Sequence, residues 1–482
     1  MYDIVIIGAG ITGTMLAREL SRYDLKLALI DKENDIADGA TMANSAIVHT
    51  GYDPEPGTMK ARMNPEGCRL YEALCRELGC KYAVVGALIA ACGADEENHL
   101  DILAGRADER GIPYKVLDSK AAHEAEPNLS DEVTKALDFY TTAVIYPWEI
   151  AIACAEVAVN NGAELYLNSP CTAIERTDSG YIVRTPDMAL ETRLVVNAAG
   201  VYAENIARMV SDNVRFRIEP RRGEYYVLDN AVAPVKHIIF PVPSKEKGKG
   251  VLAVPTVYGN TLIGPSSDVV DDLSDNGTST EGLDYVTKNI RRLVKNVPLN
   301  RSIRTFAGLR PSADVHDFVI EEQEGAGTNE FAHGFINACC IESPGLASAP
   351  AIAKYIINEL ISKRMELKEK PGAVLTRERP VVMEELTPDE RSELIKKEPA
   401  YGRIICRCEQ ISEGEIVACI HRTCGARTVK GVKKRVRPGM GRCQGGFCEP
   451  RVVEILAREL NCAPTEIVLD SAKSNILESE NR

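Results

Sequence analysis

Tyr2-Asp3-Ile4-Val5-Ile6-Ile7-Gly8-Ala9-Gly10-Ile11-Thr12-Gly13 opens the chain, and its reading decides the fold. The apolar run is a buried strand by its length and β-branched content. It enters a turn with the spacing Gly-x-Gly-x-x-Gly. Gly8 permits the tight turn, Gly10 lets the backbone approach a pyrophosphate, and Gly13 lets a helix pack close to the strand. Residues 14–21 continue that helix, whose N-terminus offers free amides and the positive end of a dipole. A second apolar strand over 25–30 ends at Asp31, placed to accept a ribose hydroxyl. Strand, glycines, helix, strand and acid in that order predict a dinucleotide site. The motif alone does not choose between FAD and NAD.

Working outward, helical periodicity returns near 59–79, 150–161, 281–297 and 347–365. Strand-like stretches dominate 165–200, 215–265 and 303–340. Strands interleaved with helices predict an α/β fold, and the run at 215–265 predicts a second, mainly antiparallel sheet. Val195-Val196-Asn197-Ala198-Ala199-Gly200 is a buried strand ending in small residues, which suits a backbone returning to the dinucleotide. Glu342-Ser343-Pro344-Gly345-Leu346 leads into a helix whose N-terminus a glycine could bring up to a ligand.

The bulk numbers exclude several classes. A chain of 482 residues, 45% hydrophobic and 26% charged, is ordinary globular material for two to four domains. The net charge of −13 argues against a general nucleic-acid binder. No apolar run approaches the roughly 20 residues of a spanning helix. A strand at the very start predicts no signal peptide. The expected location is the cytoplasm, with peripheral membrane association still open.

In that compartment 15 cysteines do not read as a disulfide framework. Most, such as Cys68, Cys75 and Cys154, sit singly in apolar helical stretches and read as small buried hydrophobes. Four are different: Cys406-x-Cys408, then after 34 residues Cys443-x4-Cys448. Two short-spaced pairs make a four-thiolate metal site. Zinc is the structural alternative, although Cys-x-Cys is an unusual zinc spacing. Cys419, Cys424 and Cys462 nearby read as packing. Residues 403–451 hold 11 Lys and Arg against 4 Asp and Glu, a charge of +7 in an acidic protein. That excess reads either as a solvated face or as a device to offset cluster charge or dock an acidic partner. The composition divides the chain into 1–365, a linker or wrapping arm over 366–400, a small module over 401–462, and a tail over 463–482.

Several segments together carry a resemblance. Asn44-Ser45-Ala46-Ile47-Val48-His49-Thr50-Gly51-Tyr52 with Pro56-Gly57-Thr58-Met59-Lys60-Ala61, Arg221-Arg222-Gly223-Glu224-Tyr225, Phe306-Ala307-Gly308-Leu309-Arg310-Pro311 and residues 342–346 resemble the D-amino-acid-oxidase-like flavoproteins. The nearest branches are the anaerobic-type glycerol-3-phosphate dehydrogenases and the L-2-hydroxyglutarate oxidases. Ala46 departs from the glycine of the second branch, and Cys171-Thr172 departs from a usual valine beside the adenine. The resemblance implies a Rossmann-like FAD domain from about 1–80, 145–215 and 305–365, with a substrate domain from about 81–144 and 216–304. It implies FAD contacts at Gly8, Gly10, Ile11, Thr12, Gly13, Asp31, Lys32, Thr41, Asn44, Ser45 and His49, then at Cys171, Thr172, Ala199, Gly200, Gly308, Pro344, Gly345 and Leu346. Residues 437–448, with the cysteine quartet, resemble the bacterioferritin-associated-ferredoxin-like module. That implies a [2Fe–2S] cluster on Cys406, Cys408, Cys443 and Cys448.

Two redox centres on one chain imply dehydrogenation rather than direct oxygen reduction. A flavin takes a hydride, and a cluster passes single electrons outward. The acceptor expected is a protein, either a partner flavoprotein subunit or a quinone-linked protein. Arg310 resembles the family arginine that pairs with an anionic substrate, and a guanidinium fork suits carboxylate or phosphate. His49 is placed to accept the hydroxyl proton. Arg222, Lys249, Thr256 and Tyr258 are further substrate candidates, and Lys249-Gly250-Val251-Leu252-Ala253-Val254-Pro255-Thr256 favours the glycerol-phosphate branch by resemblance. The substrate expected is sn-glycerol 3-phosphate. L-2-hydroxyglutarate or another 2-hydroxyacid, a more distant amine, and a non-catalytic electron-transfer subunit are the alternatives.

Overall fold

A computed structural model describes residues 1–243, 250–325 and 331–479. Tyr2–Ile7 sits at the centre of an eight-stranded sheet, parallel to Leu27–Ile30 on one side and Ala189–Asn197 on the other. Glu164–Tyr166 and Phe331–Cys339 extend the parallel part. The hairpin of Ala173–Thr177 and Gly180–Arg184 adds an antiparallel edge. Strand alternation divides the central residues between two cores. Ile4, Ile6, Leu27 and Leu29 pack into one, under the helices Ile11–Leu20, Pro147–Asn160 and Gly345–Tyr355. Val5, Ile7, Ala28 and Ile30 pack into the other. Coverage on both faces is why these strands are apolar at nearly every position.

The second sheet has nine strands, drawn from 87–138 and 221–310. One pair, Ala87–Ala91 with Ile238–Pro241, is parallel; the others are antiparallel. Its faces again split by alternation, with Ala87, Ile89 and Ala91 on one core and Leu88 and Ala90 on the other. The α/β architecture with a mainly antiparallel second sheet is as expected.

Residues 366–400 follow the surface of the first domain. Leu375 O accepts from Arg18 at 2.8 Å, and Arg377 pairs with buried Glu156 at 3.0 Å. The arm ends in a helix, Pro388–Lys397, started by the capping box of Thr387 and Glu390. The C-terminal module packs three helices, Glu413–His421, Val429–Val436 and Glu449–Leu460, round its own apolar core. The tail folds back, where Asp470 pairs with Lys430 at 2.5 Å.

Candidate active site

A cleft of about 860 Å³ runs from the C-terminal ends of the parallel strands to the second sheet, within the size range of cofactor and ligand sites. The glycine turn forms one wall. Gly8 has φ +111°, and a Cβ there would lie 2.3 Å from Ala198 O. Gly13 lies behind the turn, where a Cβ would be 1.9 Å from Gly8 O. Gly10 faces the cleft, and its nearest neighbour for an added Cβ is Thr41 Oγ1 at 3.2 Å. Thr41 Oγ1 also accepts the Ile11 N–H at 2.9 Å, which fixes the loop against the helix start. Asp31 Oδ2 accepts the Ala9 N–H at 2.6 Å. Burial lifts the Asp31 carboxyl to about 6 despite the amides of Glu33 and Ala9.

Most of the residues expected at FAD line this cleft. Gly8, Gly10, Ile11, Thr12, Asp31 and Lys32 do so near the turn, and Thr41, Asn44, Ser45 and His49 on the following loop. Cys171, Ala199, Gly200 and Gly308 line it too, as do Pro344, Gly345 and Leu346 at a helix N-terminus. Thr172 does not; its amide is spent on Arg184 O at 2.8 Å. Ala46 has φ +60°, a region that favours glycine. Asn44 holds it there by accepting the Ala46 N–H at 2.7 Å. The orphaned amides of a helix start, a glycine cradle and a carboxylate at the second strand fit a dinucleotide cofactor.

The substrate end is built from the second sheet and the loop carrying His49. His49 is 8% exposed, its ring centroid 5.7 Å from that of Phe240. Asn64 Nδ2 donates to His49 O at 2.7 Å and pins the loop. Arg310 lines the cleft, donates to Ser266 O at 2.7 Å, and keeps a buried Nε without a partner. Directly opposite it on the neighbouring antiparallel strand stands Arg221. Arg221 also lines the cleft and makes no ion pair among the described residues. Beyond Arg310, half-buried Glu342 accepts from Lys60 at 2.7 Å and also from Ser312. Burial pushes the Glu342 carboxyl up, but Lys60 and Ser312 bring it below its ordinary value.

The weaker substrate candidates do not gather here. Arg222 pairs with Glu224 at 3.1 Å and Asp275 at 2.5 Å, away from the cleft. Strand alternation explains the exchange: Arg221, Gly223 and Tyr225 face the cleft, while Arg222 and Glu224 face the other way. That period of two was the signal for Arg221. Thr256 closes a turn with Asn260 at 2.8 Å. Tyr258 lies against Arg437, whose guanidinium is 3.6 Å from the ring centroid. Lys249 lies outside the described residues.

In the C-terminal module the four cysteines form two pairs. The Sγ atoms of Cys408 and Cys443 are 3.7 Å apart, and Cys406 is hydrogen-bonded to Cys448. That bond lowers the Cys406 thiol to about 6 against the effect of burial, with help from the amides of Gly439, Glu409 and Cys408. The amides of Gly445 and Phe447 point at Cys443. Cys448 caps the helix Glu449–Leu460, so the dipole's positive end meets the thiols. Paired sulfurs ringed by amides fit a [2Fe–2S] cluster, in which each iron takes two thiolates. Among the described residues no three such side chains are grouped as a single ion would need.

Part of the basic excess of the module is spent on ion pairs with the rest of the chain. Arg435 clamps Asp35 with two bonds of 2.8 Å, and Lys434 reaches Asp35 at 2.9 Å and Asp38 at 2.8 Å. Arg422 pairs with Glu156 at 2.5 Å, and Arg442 with Asp229. Arg437 holds Glu409 at 2.7 Å and donates to Tyr146 OH at 2.9 Å. Arg422, Lys434, Arg435 and Arg442 therefore dock the module onto the rest of the chain. Asp35 and Asp38 sit in the loop after Asp31, and Asp38 lines the cleft. The module is thus fastened beside the dinucleotide site.

The chain matches the family model described as FAD dependent oxidoreductase over residues 3–359, and that of the BFD-like [2Fe-2S] binding domain over 404–458. It is 49% identical to a glycerol 3-phosphate dehydrogenase of Caloramator mitchellensis, covering 99% of this chain and 98% of that one. A glycerol 3-phosphate oxidase of Mycoplasma genitalium is 32% identical, covering 76% of this chain and 96% of the oxidase. Among solved structures, the dithionite-reduced L-alpha-glycerophosphate oxidase of Mycoplasma pneumoniae, with FAD bound, superposes with a TM-score of 0.73 at 28% identity. That match covers 79% of this chain and 99% of the oxidase.

Proposed function

Because the chain belongs to the FAD-dependent oxidoreductase family and ends in a BFD-like [2Fe–2S] domain, we propose that it oxidises sn-glycerol 3-phosphate to dihydroxyacetone phosphate and hands the electrons to a partner protein. The observation that carries this reading is the pairing of Arg221 and Arg310 across adjacent strands in the cleft. Like charges directly opposite one another are destabilising. A bound dianion between them removes the penalty, and phosphate supplies two charges where a single carboxylate supplies one.

Bound FAD supplies a hydride acceptor, and the [2Fe–2S] cluster a one-electron outlet. The chain does the rest. Arg221 and Arg310 hold the phosphate. An imidazole nitrogen of His49 takes the hydroxyl proton as the C–H bond breaks. The buried setting of His49 and Tyr225 keeps water from that end of the cleft. Dehydrogenase is preferred to oxidase because the relative sharing the whole chain, cluster module included, carries that name. The named oxidase aligns with only 76% of this chain. No helix among the described residues is long and apolar enough to cross a membrane. The acceptor we propose is a partner flavoprotein subunit or a quinone-linked protein.

Anaerobic addition of glycerol 3-phosphate should bleach the flavin band, and L-2-hydroxyglutarate should leave it. Bleaching by the hydroxyacid alone would replace the proposed substrate.

A further inference from the structure

We propose that the rim of the cluster loop around Phe447 is a docking surface for an acidic protein that takes single electrons from the cluster. The proposal rests on the dehydrogenase reading and names the kind of partner that reading requires. Phe447 is 85% exposed, far more than any other large hydrophobic side chain among the described residues. Its N–H points at the Cys443 sulfur, and the next residue is buried Cys448. An apolar ring thus stands in solvent on the residue next to Cys448, with its own backbone N–H on the Cys443 sulfur. The quartet itself is lopsided. Cys406 and Cys448 are buried, whereas Cys408 is exposed and Cys443 half-buried.

The charges near the ring choose the partner. Arg407 lies between Cys406 and Cys408, is exposed, and makes no ion pair among the described residues. Arg442, beside Cys443, keeps 63% of its side chain exposed although it pairs with Asp229. Arg451, a turn beyond Phe447, is 66% exposed and among the described residues pairs only with exposed Glu454. Of the nearby carboxylates, Glu409 is committed to Arg437, and Glu449 is half-buried. An exposed aromatic ring within a basic rim, on a chain of net charge −13, fits an acidic partner. Phe447 does not line the flavin cleft, so the surface is separate from the substrate's entry.

Rubredoxin, a small acidic one-electron carrier, is the probe. Each reduced cluster gives one electron to one ferric rubredoxin, so one substrate oxidised reduces two rubredoxins and releases two protons. Binding is read as the Kd of oxidised holoprotein for ferric rubredoxin. Transfer is read by stopped flow with dithionite-reduced holoprotein. Phe447→Ala and Arg451→Glu should each weaken the Kd and lower the second-order rate constant about tenfold. Added salt should lower the wild-type values in step. Cluster absorbance, and oxidation by a small uncharged benzoquinone, should match wild type. Unchanged Kd and rate in both variants would overturn the proposal. So would a parallel fall in the benzoquinone rate, or basic cytochrome c reacting as fast as rubredoxin at low salt. Dithionite bypasses the substrate, so a failure of glycerol 3-phosphate to bleach the flavin would count against the proposed function and not against the docking surface.

Discussion

Arg310 keeps a buried Nε without a partner and faces Arg221 across the strand pair, so each guanidinium has capacity left for an anion. Removing one fork from a desolvated anion costs about 2–5 kcal/mol. Arg310→Leu should therefore raise KM for glycerol 3-phosphate by at least about thirtyfold with flavin content unchanged. Arg221→Leu should act in the same direction, and steady-state kinetics beside flavin absorbance check both. Asp31 gives a pH test. Its folded carboxyl is raised to about 6 by burial, and only the ionised form accepts freely from a ribose hydroxyl. Below pH 6 the cofactor-free protein holds a proton there that FAD binding must expel. FAD affinity should then weaken by up to about tenfold per pH unit below 6 and level off above it. Asp31→Asn should flatten that profile while lowering affinity throughout, as fluorescence titration of apoprotein would show.

At the scale of elements, the helix Val429–Val436 carries the docking cations. Lys434 and Arg435 are almost wholly buried, at 2% and 1% side-chain exposure. Breaking a buried pair from one side costs about 3–5 kcal/mol. Arg435→Met should accordingly loosen the module, and limited proteolysis should cut within 366–400 far faster. Burial alone would raise the Asp35 carboxyl, but Arg435 and Lys434 hold it well below the usual carboxylate range. A depressed carboxylate stabilises above its unfolded pKa and is lost as pH falls through the folded one. This contact should stay intact from pH 5 to 8 and fail only in strong acid. Here the limits of sequence reading are physical. The glycine turn was legible because its whole logic lies within 31 residues. The cysteine quartet was legible because thiol spacing is local chemistry. The charge excess of the module was also visible, but its partners were not, since Asp35 and Arg435 are 400 positions apart. Arg222 and Arg221 are adjacent in the motif, and strand alternation turns only Arg221 to the cleft. Tyr258 lies on the expected substrate sheet, but its ring receives Arg437 from the module, a contact 179 positions distant that no local pattern announces.

For the whole molecule, what matters is how the two redox sites are joined. Ala46 lines the cleft, and its carbonyl accepts from Ile145 N–H at 3.0 Å. The next residue, Tyr146, donates its hydroxyl to Met440 Sδ at 3.2 Å in the cluster loop and accepts from Arg437 at 2.9 Å. Arg437 in turn grips Glu409, the neighbour of Cys408. A short chain of bonded residues thus spans cleft and cluster, and Arg437 is its middle link. It has φ +69° after the helix, a conformation disfavoured for a residue with a side chain, and its buried guanidinium bonds offset that strain. Arg437→Met should leave flavin bleaching by glycerol 3-phosphate at the wild-type rate, because nothing in the substrate end is touched. It should slow reduction of the cluster by about tenfold or more, since the loop loses its fixed distance from the cleft. Stopped-flow traces at the flavin and cluster bands separate the two steps. Equal slowing at both wavelengths would mean that Arg437 supports the fold as a whole, and unchanged traces would mean that the loop is held without it. Arg437→Lys should recover part of the cluster rate, because it restores the charge opposite Glu409 but not the fork that also reaches Tyr146.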